Sequence, residues 1–209
     1  MRMLLMTALC SVELLCGAGH PSQEADRQPL VIHVYDLAGV SSHTLNQATE
    51  EAARILTTAG VEAVWQPGPA DASEAHECDL HSSHGSLSRR PNSRAYIVLR
   101  LVRDFPDRSL PGALGYSLPD ASFGVHATVF YNRVEWVSET GDVSLSTMLG
   151  HAIAHEIGHV LLGTRDHSPS GIMKAVWGKA DYRQAAMGLM VFTPGEREAI
   201  RKQAAHRRI

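Results

Sequence analysis

Cysteine is scarce in this chain, with three among 209 residues, at positions 10, 16 and 78. The first two lie in an N-terminal apolar stretch. A mature chain without that stretch keeps Cys78 alone, which excludes a disulfide framework. An excess of one charge sign is also missing. Nineteen Lys and Arg stand against twenty-two Asp and Glu, a formal net charge of −3, and no basic cluster stands out. A nucleic-acid binder needs a field of positive charge, so that class is excluded as a partner. No stable membrane span is expected, because the mostly apolar residues 4–16 fall short of the roughly 20 that a helix needs to cross a bilayer. There is no internal repeat.

What is present reads as an ordinary globular chain, 44% apolar and 20% charged, of a length that suits one domain. Histidine is over-used, with twelve copies. The N-terminus has the order of an export signal: Arg2, the short apolar stretch, then Gly17, Ala18 and Gly19. Residues 1–19 are therefore expected to be a signal peptide, residues 20–29 a polar linker and residues 30–209 one catalytic domain. The mature protein is expected to be secreted or otherwise extracytoplasmic. A lipid anchor at Cys16 is the alternative, although Glu13-Leu14-Leu15-Cys16 is a poor lipidation box. With so few residues between signal and domain, no inhibitory prodomain is expected.

Apolar, β-branched runs predict strands at residues 30–35, 61–65, 95–102, 114–118 and 127–131. The run at 114–118, bracketed by Pro111 and Pro119, has edge character. Leu45, Ala48, Ala52, Ile55 and Leu56 are spaced for a helix over about 43–59, which Gly60 stops. Residues 67–93, rich in Ser, His, Pro and Gly, predict a long loop. The most helical segment is 144–162, capped by Asp142 or Ser144 and ended by Gly163. Thr193-Pro-Gly-Glu196 is a capping box that opens a last helix to about His206. The order β-α-β, further strands, then two C-terminal helices predicts an α/β (α+β) sandwich with a mixed sheet.

The chemistry is concentrated in His155-Glu156-Ile157-Gly158-His159. A step of four residues on a helix brings both imidazoles to one face, one turn apart, which suits two corners of a zinc tetrahedron. Glu156, offset by one residue, reaches a water beside the metal and can take its proton as it attacks a carbonyl. His167 follows the end of the helix within a short turn. Asp166, beside it, is a rival third ligand, because carboxylates also bind zinc.

Residues 155–173 as a whole, His-Glu-Ile-Gly-His-Val-Leu-Leu-Gly-Thr-Arg-Asp-His-Ser-Pro-Ser-Gly-Ile-Met, resemble the metzincin metalloproteases, matrixins in particular, whose pattern is HExxHxxGxxH followed by a methionine turn. The resemblance implies zinc held by His155, His159 and His167, Glu156 as general base and Met173 as the floor beneath the metal. It implies a twisted mixed sheet, an N-terminal helix, the zinc helix, the Met turn and a C-terminal helix. The pattern departs in one respect: Gly163 stands one residue late and His167 two. Gly163-Thr-Arg-Asp166 is also similar to the Gly-Thr-x-Asp of the aspzincins.

Other residues carry weaker signals. His151, one turn before His155, would close the site as a fourth ligand; the alternative is a neighbouring or groove-facing histidine. His76, Cys78, His81 and His84 form a loose cluster in the long loop, a second metal site or a solvated tract, and Cys78 is a candidate inhibitory thiolate. Tyr182 is a candidate oxyanion donor or, as the alternative, a core or surface residue; the position where astacin-like relatives carry a Tyr is Ala175 here. Trp177 is read as packing or as a pocket wall. The expected function is a secreted zinc endopeptidase acting on a peptide or protein substrate. A catalytically silent zinc module and a metallohydrolase of non-peptide substrates are the alternatives. Oligomeric state is not readable.

Overall fold

The computed structural model describes residues 29–68, 96–103, 112–119 and 125–207. The expected signal peptide with Cys10 and Cys16, almost all of the 20–29 linker, and the loop cluster of His76, Cys78, His81 and His84 lie outside the described residues.

Five strands, β1 (Leu30–Asp36), β2 (Ala63–Pro67), β3 (Tyr96–Val102), β4 (Gly115–Leu118) and β5 (Val125–Phe130), form one sheet in the order β2-β1-β3-β5-β4. The pairs β1–β2, β1–β3 and β3–β5 are parallel, whereas β4 pairs antiparallel with β5. Parallel neighbours need crossover connections. The first is helix α1 (Ser42–Thr58). Ser41 caps it by accepting from the Thr44 amide at 3.1 Å, and Ala48, Ala52, Ile55 and Leu56 form its buried stripe.

The expected strand at 61–65 sits two residues later, because Val61 still belongs to the turn: its amide donates to the Leu56 carbonyl. Tyr131, expected at the end of the last strand, instead opens helix α2 (Tyr131–Gly141). Neither α2 nor the short helix α4 (Lys179–Ala186) was expected from sequence. The remaining helices are α3 (Leu145–Leu162) and α5 (Pro194–Arg207).

Alternation in the strands turns Leu30 and Ile32 of β1, Ile97, Leu99 and Leu101 of β3, and Ala127 and Val129 of β5 into one buried face. Helix α3 lies among these residues. It packs against α1, α2, α5 and the β4–β5 side of the sheet, and every residue from Met148 to Leu161 is buried. With an apolar layer on several sides, α3 runs through the core. Ser144 caps its start by accepting from the Thr147 amide, and Gly163 ends it at φ 66°, a left-handed conformation that favours glycine.

Candidate metal centre

On α3, His155 and His159 leave the same face and their Nε2 atoms stand 3.1 Å apart. The other ring nitrogen of each is committed to the backbone. His155 Nδ1 donates to the Ile172 carbonyl at 2.8 Å and His159 Nδ1 to the Thr164 carbonyl at 3.0 Å. These bonds put the protons on Nδ1 and leave both Nε2 lone pairs aimed at one another. The exposed His167 closes the group. Its ring lies 5.4 Å from His155 at 28° and 4.8 Å from His159 at 90°. One nitrogen from each of the three lies within 4.8 Å of the others, an arrangement able to hold a metal ion.

This donor set fits a tetrahedral cation. Metal–nitrogen bonds of about 2.0–2.1 Å place ligand nitrogens roughly 3.3 Å apart at tetrahedral angles. Facing lone pairs repel one another unless a positive charge lies between them. The electrostatics agree. Burial pushes His155 down to about 3, with His159 and His167 adding to the effect, and lowers His159 as well. Both imidazoles are therefore neutral, as ligands must be.

Asp166 does not join the three histidines. Its carboxylate accepts from the Thr164 hydroxyl at 2.9 Å. His151 is fully buried and also stands outside the group. Its Nδ1 donates to the Thr147 carbonyl at 2.8 Å, with a Glu51 oxygen at 3.6 Å. Burial lowers its pKa, partly offset by these two groups.

The loop after α3 is pinned from below. The Ser168 amide donates to the Met173 carbonyl at 2.8 Å, and the Ser168 hydroxyl donates to Glu196 Oε1. The other Glu196 oxygen accepts from the Thr193 amide at 2.7 Å. Glu196 was expected only to cap the last helix. It also ties that helix to the loop that presents His167. Met173 is buried, with its sulfur against Gly158: a Cβ on that glycine would sit 2.5 Å from Met173 Sδ and 2.8 Å from Phe192. The glycine inside the His-Glu-Ile-Gly-His motif thus lets the methionine approach the helix between the two histidines.

The carboxyl of Glu156 meets β4. Its Oε2 accepts from the Ser117 hydroxyl at 2.9 Å. A Cβ at Gly115 would come within 2.4 Å of the Thr128 carbonyl and 2.8 Å of Glu156 Oε1, so glycine is needed there by the neighbouring strand as well as by the carboxyl. Burial pushes Glu156 up to about 8, partly offset by the Ser117 bond. A buried carboxyl so raised is a site short of positive charge, which a cation at the histidines would supply.

The fold is similar to that of a solved zinc-dependent peptidase. That structure, from Methanocorpusculum labreanum (strain Z), matches with a TM-score of 0.51 and 16% identity, over 81% of this chain and 99% of that one. Comparisons with protein-family models and with curated proteins give no match.

A cleft of about 830 Å³ opens over the centre, with β4 along one side. Trp136, Val176, Trp177 and Tyr182 make much of its apolar wall, and Ala175 is also in the lining. Tyr182 lays its ring where a side chain at Gly141 would stand, and burial, with Asp181 nearby, raises its pKa. Trp177 is edge-on to both His155 and His151, at 5.5 and 6.4 Å. Its Nε1 donates at 3.2 Å to the same Ile172 carbonyl that His155 uses. Sequence reasoning missed the contributions of Gly115, Ser117, Gly158 and Ser168. A glycine and a serine alternating on an edge strand were the available signal, but nothing in the pattern says that the serine meets a glutamate 39 residues away.

Proposed function

We propose that this chain is a secreted zinc-dependent endopeptidase of the metzincin type, with His155, His159 and His167 as zinc ligands and Glu156 as general base. The observation that carries the reading is the division of labour on α3. Three imidazoles converge, while the carboxyl one residue from His155 is held by Ser117 of the strand that borders the cleft. A metalloprotein that only stored zinc would have no use for such a carboxyl.

A zinc ion held by His155, His159 and His167 would supply a Lewis acid able to activate a water and polarise the scissile carbonyl. The rest of the chemistry belongs to the chain. Glu156 takes the proton of the attacking water and hands it to the leaving amine, acting first as general base and then as general acid. Among the described residues β4 has no strand on its outer side. An extended peptide pairs with that edge, while the apolar walls receive its side chains. Secretion rests on residues 1–19, and the N-terminus of the mature protein, read by mass spectrometry, should fall near residues 19–21.

The test is a digest of casein and of a peptide library by the purified protein, with and without a chelator. Cleavage that stops on chelation and returns with zinc is expected, together with full zinc content and no cleavage in Glu156→Gln. Cleavage indifferent to the chelator, or near-normal turnover in zinc-loaded Glu156→Gln, would refute the proposal.

A further inference from the structure

We propose that Ser117 is the positioning residue of the general base: by donating to Glu156 Oε2 it leaves Oε1 as the oxygen that meets the attacking water. This inference rests on the peptidase reading above.

The geometry is that of a seat with two places. Gly115 and Ser117 are two apart on β4, so they face the same side of the sheet, toward α3. The carboxyl of Glu156 lies across both. One oxygen is 2.9 Å from the Ser117 hydroxyl, and the other lies over the bare backbone of Gly115, where a Cβ would be 2.8 Å away. Ser117 is itself buried. Among the described residues no other side chain hydrogen-bonds to Glu156.

The torsion that turns a carboxylate about its terminal bond is broad and two-fold, so packing alone sets it poorly. A general base must keep its accepting oxygen about 2.6–3.2 Å from the proton it takes, and a misplacement of about 1 Å costs on the order of a hundredfold in rate. A single donor on one oxygen removes the two-fold ambiguity. Because that donor sits on the strand that borders the cleft, the strand that would align a peptide also orients the base.

A structural role, merely satisfying a buried carboxyl, predicts something different. If Ser117 serves only the fold, its loss lowers thermal stability and leaves turnover of the folded fraction alone. If it positions Glu156, zinc-loaded Ser117→Ala keeps its zinc and a KM within about twofold, while kcat falls about 10- to 100-fold. Ser117→Thr, which restores the donor, recovers most of the loss. Ser117→Cys, close in size and a weak donor, repeats the test with little risk to the fold.

A second readout needs no turnover. A peptide hydroxamate, whose hydroxyl meets the base carboxylate, is titrated into wild type, Ser117→Ala, Glu156→Gln and the double variant. Affinity is expected to drop about tenfold on Ser117→Ala in the wild-type background, and by far less once Glu156 is Gln. Equal drops in the two backgrounds, or a kcat for Ser117→Ala within about twofold of wild type, would overturn the assignment. No hydrolysis by zinc-loaded wild type would reject the peptidase reading as well, whereas an active wild type beside an indifferent Ser117→Ala would reject this inference alone.

Discussion

In the metal-free protein the buried carboxyl of Glu156 works against the fold, and the size of that effect follows from its surroundings. Burial raises Glu156 from 4.5 to about 8. Below pH 4.5 the group is protonated in both folded and unfolded chains and costs nothing. Between 4.5 and 8 the native state holds a proton that the unfolded state has released, so stability falls as pH rises and levels off above 8. At about 1.4 kcal/mol per pH unit, the loss reaches roughly 3 kcal/mol by pH 7 and roughly 5 at the plateau, both upper bounds because local relaxation softens the desolvation. Glu156→Gln keeps the shape and an oxygen for the Ser117 hydroxyl but does not titrate. In a chelator, the variant should therefore exceed wild type by up to about 3 kcal/mol at pH 7, roughly 6–12 °C in Tm for a chain of this size, with the gain gone at pH 4.5. His155, pushed down to about 3, has the opposite slope: the unfolded chain takes up a proton that the native imidazole refuses, so stability falls as pH drops from 6.5 toward 3. That contribution is common to both proteins and cancels in the difference. Paired urea melts at pH 4.5, 6, 7 and 8.5 provide the measurement. A gain independent of pH, or none at pH 8.5, would refute the reasoning. Added zinc, by favouring the ionised carboxyl, should shrink the gain.

Metal analysis of purified variants should find that His155→Ala, His159→Ala and His167→Ala each lose zinc while Asp166→Ala retains it; full retention in His167→Ala with loss in Asp166→Ala would exchange the two residues' roles. Gly158→Ala forces a methyl against the Met173 sulfur and Phe192 and should cost about 1–3 kcal/mol by denaturant unfolding. Ser168→Ala breaks the link from the His167 loop to Glu196 but leaves the Thr193–Glu196 cap; chelator competition should show zinc held about tenfold more weakly, with little change in melting of the metal-free protein.

The convergence of His155 and His159 was legible because helix periodicity is a local property. A spacing of four puts two rings on one face whatever surrounds them. The strands and α1 were legible for the same reason. Helix α2 was not, since it follows β5 without a loop and its first turn has neither a capping side chain nor an acidic residue. Helix α4 buries only Ala185, too little to leave a stripe, and starts at Gly178, whose amide is held by Asp181. The contacts that dress the site, Ser117 on Glu156 and Ser168 on Glu196, join residues 39 and 28 apart. Pattern reading has no access to such pairs, because antiparallel pairing of β4 and the docking of α5 create them.

The burial of α3 on every side also bears on how quickly a metal can come and go. A helix enclosed from Met148 to Leu161 exchanges its amide protons only when most of the molecule opens. His155 and His159 therefore share the lifetime of the folded state. His167 is exposed on a loop held by the Ser168 contacts, so it is the histidine of the three that the core encloses least. Entry and departure of a bound ion would then proceed through the motion of one ligand out of three, with an off-rate that follows the loop rather than the stability of the whole protein.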